Sequence, residues 1–345
     1  MAYTTVPKST AYFTPTLYTG NYSTNAITGV GFQPDLTWIK SRGTAGENHY
    51  LFDKLRGVTK YIHSDTTAGE GTNSATLTTF GSDGFTVGAN NSVNKSGEPL
   101  VSWNWKGGTT SGIATNGDTE ITPSSYSFNQ TSGFSIIRYT GIGGQPIQIP
   151  HGLGVQPKMF IIKRLNSTGS WGVLPQQIST GHLYLDATSA LSTVNPLSGG
   201  VLADTVNFSV SNSGDVNASG GTYVAYCFAD VQGFARHGWY DGNGSAEGVF
   251  QYLGFKPSYV LIKNTTATEA WFLYDEKRGY NGSMAALFPD EAAAEGFANN
   301  IDLLSNGFKI RTAGAILNGN TTRYIFSAYA SEPLVSTNGT PATAR

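Results

Sequence analysis

The side chains whose types and spacing could do chemistry fall into a few sets. Asp53 and Arg56 stand three residues apart, and Asp275 and Arg278 repeat that spacing. A carboxylate beside a guanidinium can clamp a sugar or a neighbouring subunit, and it can equally order a charged surface turn before Gly57 or Gly279. Glu269, Asp275, Glu276 and Asp290 crowd one stretch. Carboxylate pairs held ~5–9.5 Å apart hydrolyse glycosidic bonds, so this stretch is where a depolymerase would show. Asn116-Gly117-Asp118-Thr119-Glu120 and Asp241-Gly242-Asn243-Gly244-Ser245 offer the oxygen ligands calcium prefers, but neither has EF-hand spacing and both are good turn sequences. His49, His63, His151, His182 and His237 are dispersed, and Cys227 is the single cysteine. No metal, cofactor or disulfide is therefore expected, and Cys227 reads as a quiet structural thiol. Gly141-Ile142-Gly143-Gly144 lacks the Lys-Ser/Thr of a phosphate loop and reads as a turn. His49, Tyr50, Trp171, Trp239 and Tyr280 all lie near presumed loops. Singly each suits a core or interface, and together they could stack on sugar rings without catalysis.

The elements that must position these residues are strands. Over 345 residues only 13% are charged, while 39% are hydrophobic and 43 are glycine. That is too apolar for a disordered chain and too poor in helix formers for bundles, whereas aromatics with Gly, Asn and Thr favour strands and tight turns. An all-β fold is expected. Lys and Arg number 21 against 23 Asp and Glu, for a net charge of −2, and no basic stripe offers itself to nucleic acid. No apolar run approaches the ~20 residues that span a bilayer, and the first 14 residues lack a signal-peptide core, so membrane insertion and that export route are not expected.

Internal repetition organises the chain. Gly31-Phe32-Gln33-Pro34 leads to Lys40, Gly154-Val155-Gln156-Pro157 to Lys163, and Gly254-Phe255-Lys256-Pro257 to Lys263, with an apolar run between Pro and Lys each time. Phe85, Phe208 and Phe308 each follow their proline at the same interval. Tyr18-Thr19-Gly20, Tyr139-Thr140-Gly141 and Tyr240-Asp241-Gly242 lie upstream, and aromatic strands ending at Trp105, Phe228 and Tyr329 close each copy. Copy two departs most, with Leu174-Pro175-Gln176-Gln177 where the others have Asp53-Lys54-Leu55-Arg56 and Asp275-Glu276-Lys277-Arg278. The predicted organisation is three tandem jelly-roll β-sandwich domains of similar topology, at 1–108, 124–232 and 233–345. A Gly/Ser/Thr-rich linker or strap at 109–123 separates the first two, which should have more mutual freedom than the second pair. One helix is predicted over 289–299, where Ala and Glu concentrate behind a proline. Left-handed turns are predicted at Gly88-Ala89-Asn90-Asn91 and Asn318-Gly319-Asn320.

The Gly-Phe-x-Pro strand, Leu55-Arg56-Gly57 and Ser82-Asp83-Gly84-Phe85 resemble a domain of phage virion proteins, often labelled tail fibre in phages of cyanobacteria and other marine bacteria. His151-Gly152-Leu153-Gly154-Val155-Gln156-Pro157 and the C-terminal segment from Pro333 to Arg345 are similar to the same group. The resemblance implies a concanavalin-like sandwich and transfers no catalytic residue. It leads to the expectation of a non-enzymatic virion structural protein, a tail fibre or tail-associated adhesin contacting host surface polysaccharide. The alternatives are a capsid decoration, cement or tail-junction protein, and a glycan depolymerase. The partners expected are other virion proteins, with a homo-oligomer, a trimer if a fibre. The expected location is the virion, tail before head.

Overall fold

A computed structural model describes residues 3–144, 146–178, 181–194, 197–198, 203–333 and 335. Most of the C-terminal segment that shares in the resemblance, including 336–345, lies outside them. The fold is all-β, built of antiparallel sheets packed as β-sandwiches.

One four-strand order occurs three times. In the first repeat the opening strand Phe13–Thr19 pairs with the closing strand Pro99–Trp105, which pairs with the Pro-led central strand Leu36–Ser41, which pairs with Tyr50–Asp53. The second repeat has Phe134–Thr140, Thr222–Phe228, Met159–Arg164 and Gly172–Pro175 in the same order. The third has Ala235–Asp241, Arg323–Pro333, Phe255–Asn264 and Phe272–Asp275. The registers correspond: Leu36 faces Trp105, Met159 faces Phe228, and Tyr259 faces Tyr329.

A smaller sheet covers one face of each large one. Asn25–Ile27 with Gly84–Val87, Ile147–Pro150 with Asn207–Val210, and Phe250–Tyr252 with Gly307–Ile310 are the paired strands. Between the layers of the first repeat lie Ile39, Phe52, Phe85, Val87 and Leu100, and in the second Ile137, Phe160, Ile162, Phe208 and Val210. Cys227 is buried on this side, away from Phe228, and burial pushes its thiol up to about 12.

The opposite faces of the three large sheets are buried as well, because they pack on one another. Leu36, Trp38, Trp103 and Trp105 meet Met159, Ile161, Tyr226 and Phe228 and also Tyr259, Leu261 and Tyr329 in a single cluster that runs on into the third repeat's own core. Aromatic rings cross the junctions: Phe13 stacks on Tyr329 at 4.7 Å, and Trp105 meets Tyr259 at 5.8 Å and Phe134 at 6.3 Å. Where all three meet, Leu36, Met159 and Tyr259 line a cavity of only about 20 Å³. Antiparallel sheets commonly keep one solvated face. Here neither is free, so every residue of Leu36–Ser41 is buried.

Two expectations are corrected. Residues 289–299 form no helix: Pro289 and Ala292 give their carbonyls to Ser64, Gly46 and Lys40 of the first repeat, and Glu295 donates its N–H to Arg42. Those tertiary bonds replace the i→i−4 ladder that propensity alone favours. Neither predicted left-handed turn has a positive φ; instead one leads into the one-turn helix Asn91–Asn94, which Asn90 caps, and the other follows the one-turn helix Ala315–Asn318. The 109–123 segment, read as a linker or strap, runs along the second repeat, where Thr109 bridges Phe128 and Glu120 donates its N–H to Gln148.

Candidate functional site

The junctions between repeats hold most of the buried charge. Asp53 and Arg56 are an ion pair with fully buried side chains, so they are not the surface turn the sequence suggested. Asp53 also accepts the Arg56 N–H at 2.9 Å, and Arg56 Nη2 donates to the Leu51 carbonyl at 2.8 Å. The second repeat completes the set, with the Tyr226 hydroxyl donating to Asp53 Oδ2 at 2.8 Å. Burial first, and then Asp53, holds that phenol well above its usual range, so it remains a donor. The third repeat carries the same device. Asp275 and Arg278 pair at 2.6 Å, Arg278 donates to Leu273, and Trp103 of the first repeat donates its indole N–H to Asp275 at 2.9 Å. Neither pair is open to a sugar.

The second repeat has exchanged the whole device for apolar residues. Met159 pairs with Pro175 as Leu36 pairs with Asp53, so the counterpart of Asp53 is Pro175, one position beyond the sequence alignment. Ile178 then replaces Arg56. Leu191 stands where Glu70 and Glu295 flank the arginines at 3.5 Å, since its N–H meets Thr265 as theirs meet Leu165 and Arg42. The donor position on the third repeat shrinks to Ser327, whose hydroxyl pairs with His237 Nδ1 at 2.9 Å. Burial pushes His237 down to about 3.

The recurrent lysines close the ring. Lys40 donates to Glu47 of its own repeat and Ala292 of the third, Lys163 to Gly169 and Thr67 of the first, and Lys263 to Glu269 and Thr188 of the second. Burial pushes each down to about 8, while a nearby carboxylate, Asp65, Asp186 or Asp290, pulls the other way. Burial raises Asp65 to about 6 and Asp290 to about 7. Asp290 accepts the Trp271 backbone N–H, Asp186 that of Trp171 and Asp65 that of His49. The indoles of Trp171 and Trp271 donate across the junction to the carbonyls of His63 and Tyr184. His49, their counterpart, accepts from Trp38 Nε1 at 2.9 Å.

The Tyr-x-Gly signature is a lock inside each repeat. Tyr18, Tyr139 and Tyr240 donate to the carbonyls of Val93, Val216 and Leu317. A Cβ on Gly20, Gly141 or Gly242 would lie 2.1, 2.5 or 2.3 Å from a backbone oxygen, so only glycine lets the chains pass. Asn94, Asn217 and Asn318 hold the loop beyond: Asn318 Nδ2 donates to Asn243, Ser245 and Thr312.

The sequence candidates therefore separate. His49 and Trp171 are fully buried in junctions and cannot meet a sugar from solvent. Tyr50 is half-buried against Tyr61 and His63. Trp239 and Tyr280 are 41% and 67% exposed. The calcium candidates are tied up as turns, with Asn116 binding Asp118, Thr119 and Asn207, and Asn243 held by Asn318. The acidic stretch does not converge, since Asp275 serves Arg278 and Trp103 while Asp290 serves Trp271. Among the described residues no group of three His, Cys, Asp or Glu could hold a metal ion, and no helix is long and apolar enough to cross a membrane.

Sequence reasoning missed a groove between the second and third repeats. Its volume is about 610 Å³, with Ile178 and Leu191 on one side and Asp241, Thr266, Thr321 and Arg323 on the other. Arg323 binds Asp241 through two nitrogens at 3.0 and 3.2 Å and lies 3.9 Å over the Trp239 ring. The signal available was the loss of Asp, Arg and Glu from the second repeat alone.

No curated protein and no solved structure matches the chain. Residues 8–333 match the model of a family described as a domain of unknown function, DUF7483. That single match takes in all three repeats, and the chain belongs to this family.

Proposed function

We propose that the chain is a non-enzymatic structural protein of a bacteriophage particle, carried on the tail as a fibre or tail-associated adhesin segment that meets a host surface glycan. In this reading its repeats are three β-sandwich domains of one jelly-roll, concanavalin-like topology, at about 1–108, 124–232 and 233–345. The observation that carries the proposal is the closed ring. Lys40, Lys163 and Lys263 each reach the neighbouring repeat in the same sense, and the large sheets spend both faces on packing. Such a block is suited to bearing load and displaying edge loops. One chain then presents the three similar edges that a trimeric fibre would draw from three chains.

The same ring favours a second reading, a decoration or cement protein seated on a threefold position of the head or a tail junction. Cryo-electron microscopy of the purified particle, with this chain located in the density, decides between them. Density at the tail tip or fibre supports the first reading, density on the capsid shell supports the second, and absence of the chain from purified particles refutes both.

A further inference from the structure

We infer that the groove between the second and third repeats is a binding site for neutral sugars, with Trp239 and Arg323 as its recognition pair. The inference rests on the adhesin reading for its biological setting but on the groove alone for its chemistry. Three features of the groove agree.

The first is divergence at one junction. At the other two, a buried Asp–Arg pair with a glutamate nearby occupies the position where this one has Pro175, Ile178 and Leu191. The strand position that holds Trp239 holds Arg138 in the second repeat, and Arg138 crosses to the Leu55 carbonyl at 3.1 Å. In the first repeat it holds Leu17. Among the described residues, only here does an exposed indole lie against a side chain, Arg323, that lines an open groove with an apolar side.

The second is preorganisation. Arg323 is fixed by two hydrogen bonds to Asp241 and rests on the Trp239 face, so guanidinium, carboxylate and indole are held in place before a ligand arrives. Asp241 and Arg323 cancel in charge. The set therefore favours an uncharged polyol over a uronic acid or a phosphate.

The third is hydrogen-bond capacity. Thr265, Thr266 and Thr321 donate their hydroxyl hydrogens inward, to the Arg323 carbonyl, Asn264 and the Asn320 carbonyl. Each oxygen keeps lone pairs to accept from a sugar hydroxyl. A pyranose can then lay its C–H face on apolar surface while its hydroxyls meet the threonines and the edge of Arg323. Convergent polar groups around an apolar wall are the usual make-up of a small-ligand pocket.

The test is a printed array of bacterial surface polysaccharides with defined neutral and uronic-acid oligosaccharides, probed with the full chain. The variants are Trp239→Ala, Trp239→Tyr, Thr266→Phe, which fills the groove and leaves the indole, and Tyr280→Ala, which removes another exposed aromatic. The expected result is binding of neutral glycans, weakened at least tenfold by Trp239→Ala and by Thr266→Phe. Trp239→Tyr should recover part of it and Tyr280→Ala should retain it within twofold. An array on which nothing binds, binding confined to uronic acids, or binding indifferent to Trp239→Ala and Thr266→Phe overturns the inference. Binding that meets these criteria in a chain absent from phage particles would sink the virion reading and leave the sugar site standing.

Discussion

Replacing Arg56 with Met separates the energetic roles at the junction between the first two repeats. The variant removes the cation beside Asp53 and keeps an apolar stem of similar length. Asp53 is completely buried and would keep only the Tyr226 hydroxyl and the backbone N–H of position 56 as partners. Removing one member of a buried ion pair costs about 3–5 kcal/mol, because the other charge is left uncompensated. Removing the whole set is another matter, since apolar replacement of a buried pair is often neutral. The triple variant Asp53→Leu, Arg56→Met, Tyr226→Phe should therefore regain most of the loss and lie within about 1–2 kcal/mol of the parent. The chain already contains this experiment at the junction of the second and third repeats, where Pro175 and Ile178 replace the ion pair and Ser327 takes the donor position. Urea unfolding followed in parallel by tryptophan fluorescence and far-ultraviolet circular dichroism measures it, with coincident transitions as the condition for comparing free energies. A loss below about 1 kcal/mol for Arg56→Met, against the 3–5 expected, would refute the reasoning. So would a triple variant no more stable than the single one.

Gly20→Ala should destabilise the chain by more than about 2 kcal/mol or prevent folding, because its Cβ would lie 2.1 Å from the Lys95 carbonyl oxygen. Gly117→Ala, with nothing within 4 Å and no positive φ, should stay within about 0.5 kcal/mol in the same melt. Leu261→Ala, at the centre where the repeats meet, should cost about 2–5 kcal/mol by urea midpoint, since three sheets bound the site and none can collapse alone. His237 is held near 3 in the fold by burial, against 6.5 unfolded. Its folded form is depressed, so its contribution is fully present above about 6.5 and is lost as pH falls towards 3. Stability measured across that window should decline less steeply in His237→Gln than in the parent, and identical slopes would contradict the assignment.

Several features of the fold could be read from sequence because they are local. Alternation and glycine spacing marked the central and closing strands, and the Tyr-x-Gly anchor marked a place where backbones pass within contact of one another. The central runs carried a further signal. Leu36-Thr37-Trp38-Ile39 and Tyr259-Val260-Leu261-Ile262 are apolar at both parities, the pattern of a strand covered on two faces. The Ala/Glu-rich stretch at 289–299 shows the opposite case. Its helical composition is outweighed by hydrogen-bond donors on the first repeat, Ser64, Gly46 and Lys40, and by the Arg42–Glu295 ion pair, contacts that lie 225 to 253 residues apart in the chain.

The sequence by itself determined that this is a β protein with a recurring unit, because side-chain parity, proline lead-ins and glycine passing points act over a few residues. Only the tertiary structure decided what the charged and aromatic residues are for. Asp53 and Tyr226 lie 173 positions apart, and whether a carboxylate is a solvated turn or a buried latch depends on what the next repeat lays against it. The open groove that Arg323 lines exists for the same reason, since its walls belong to two repeats and no single stretch of chain encodes it.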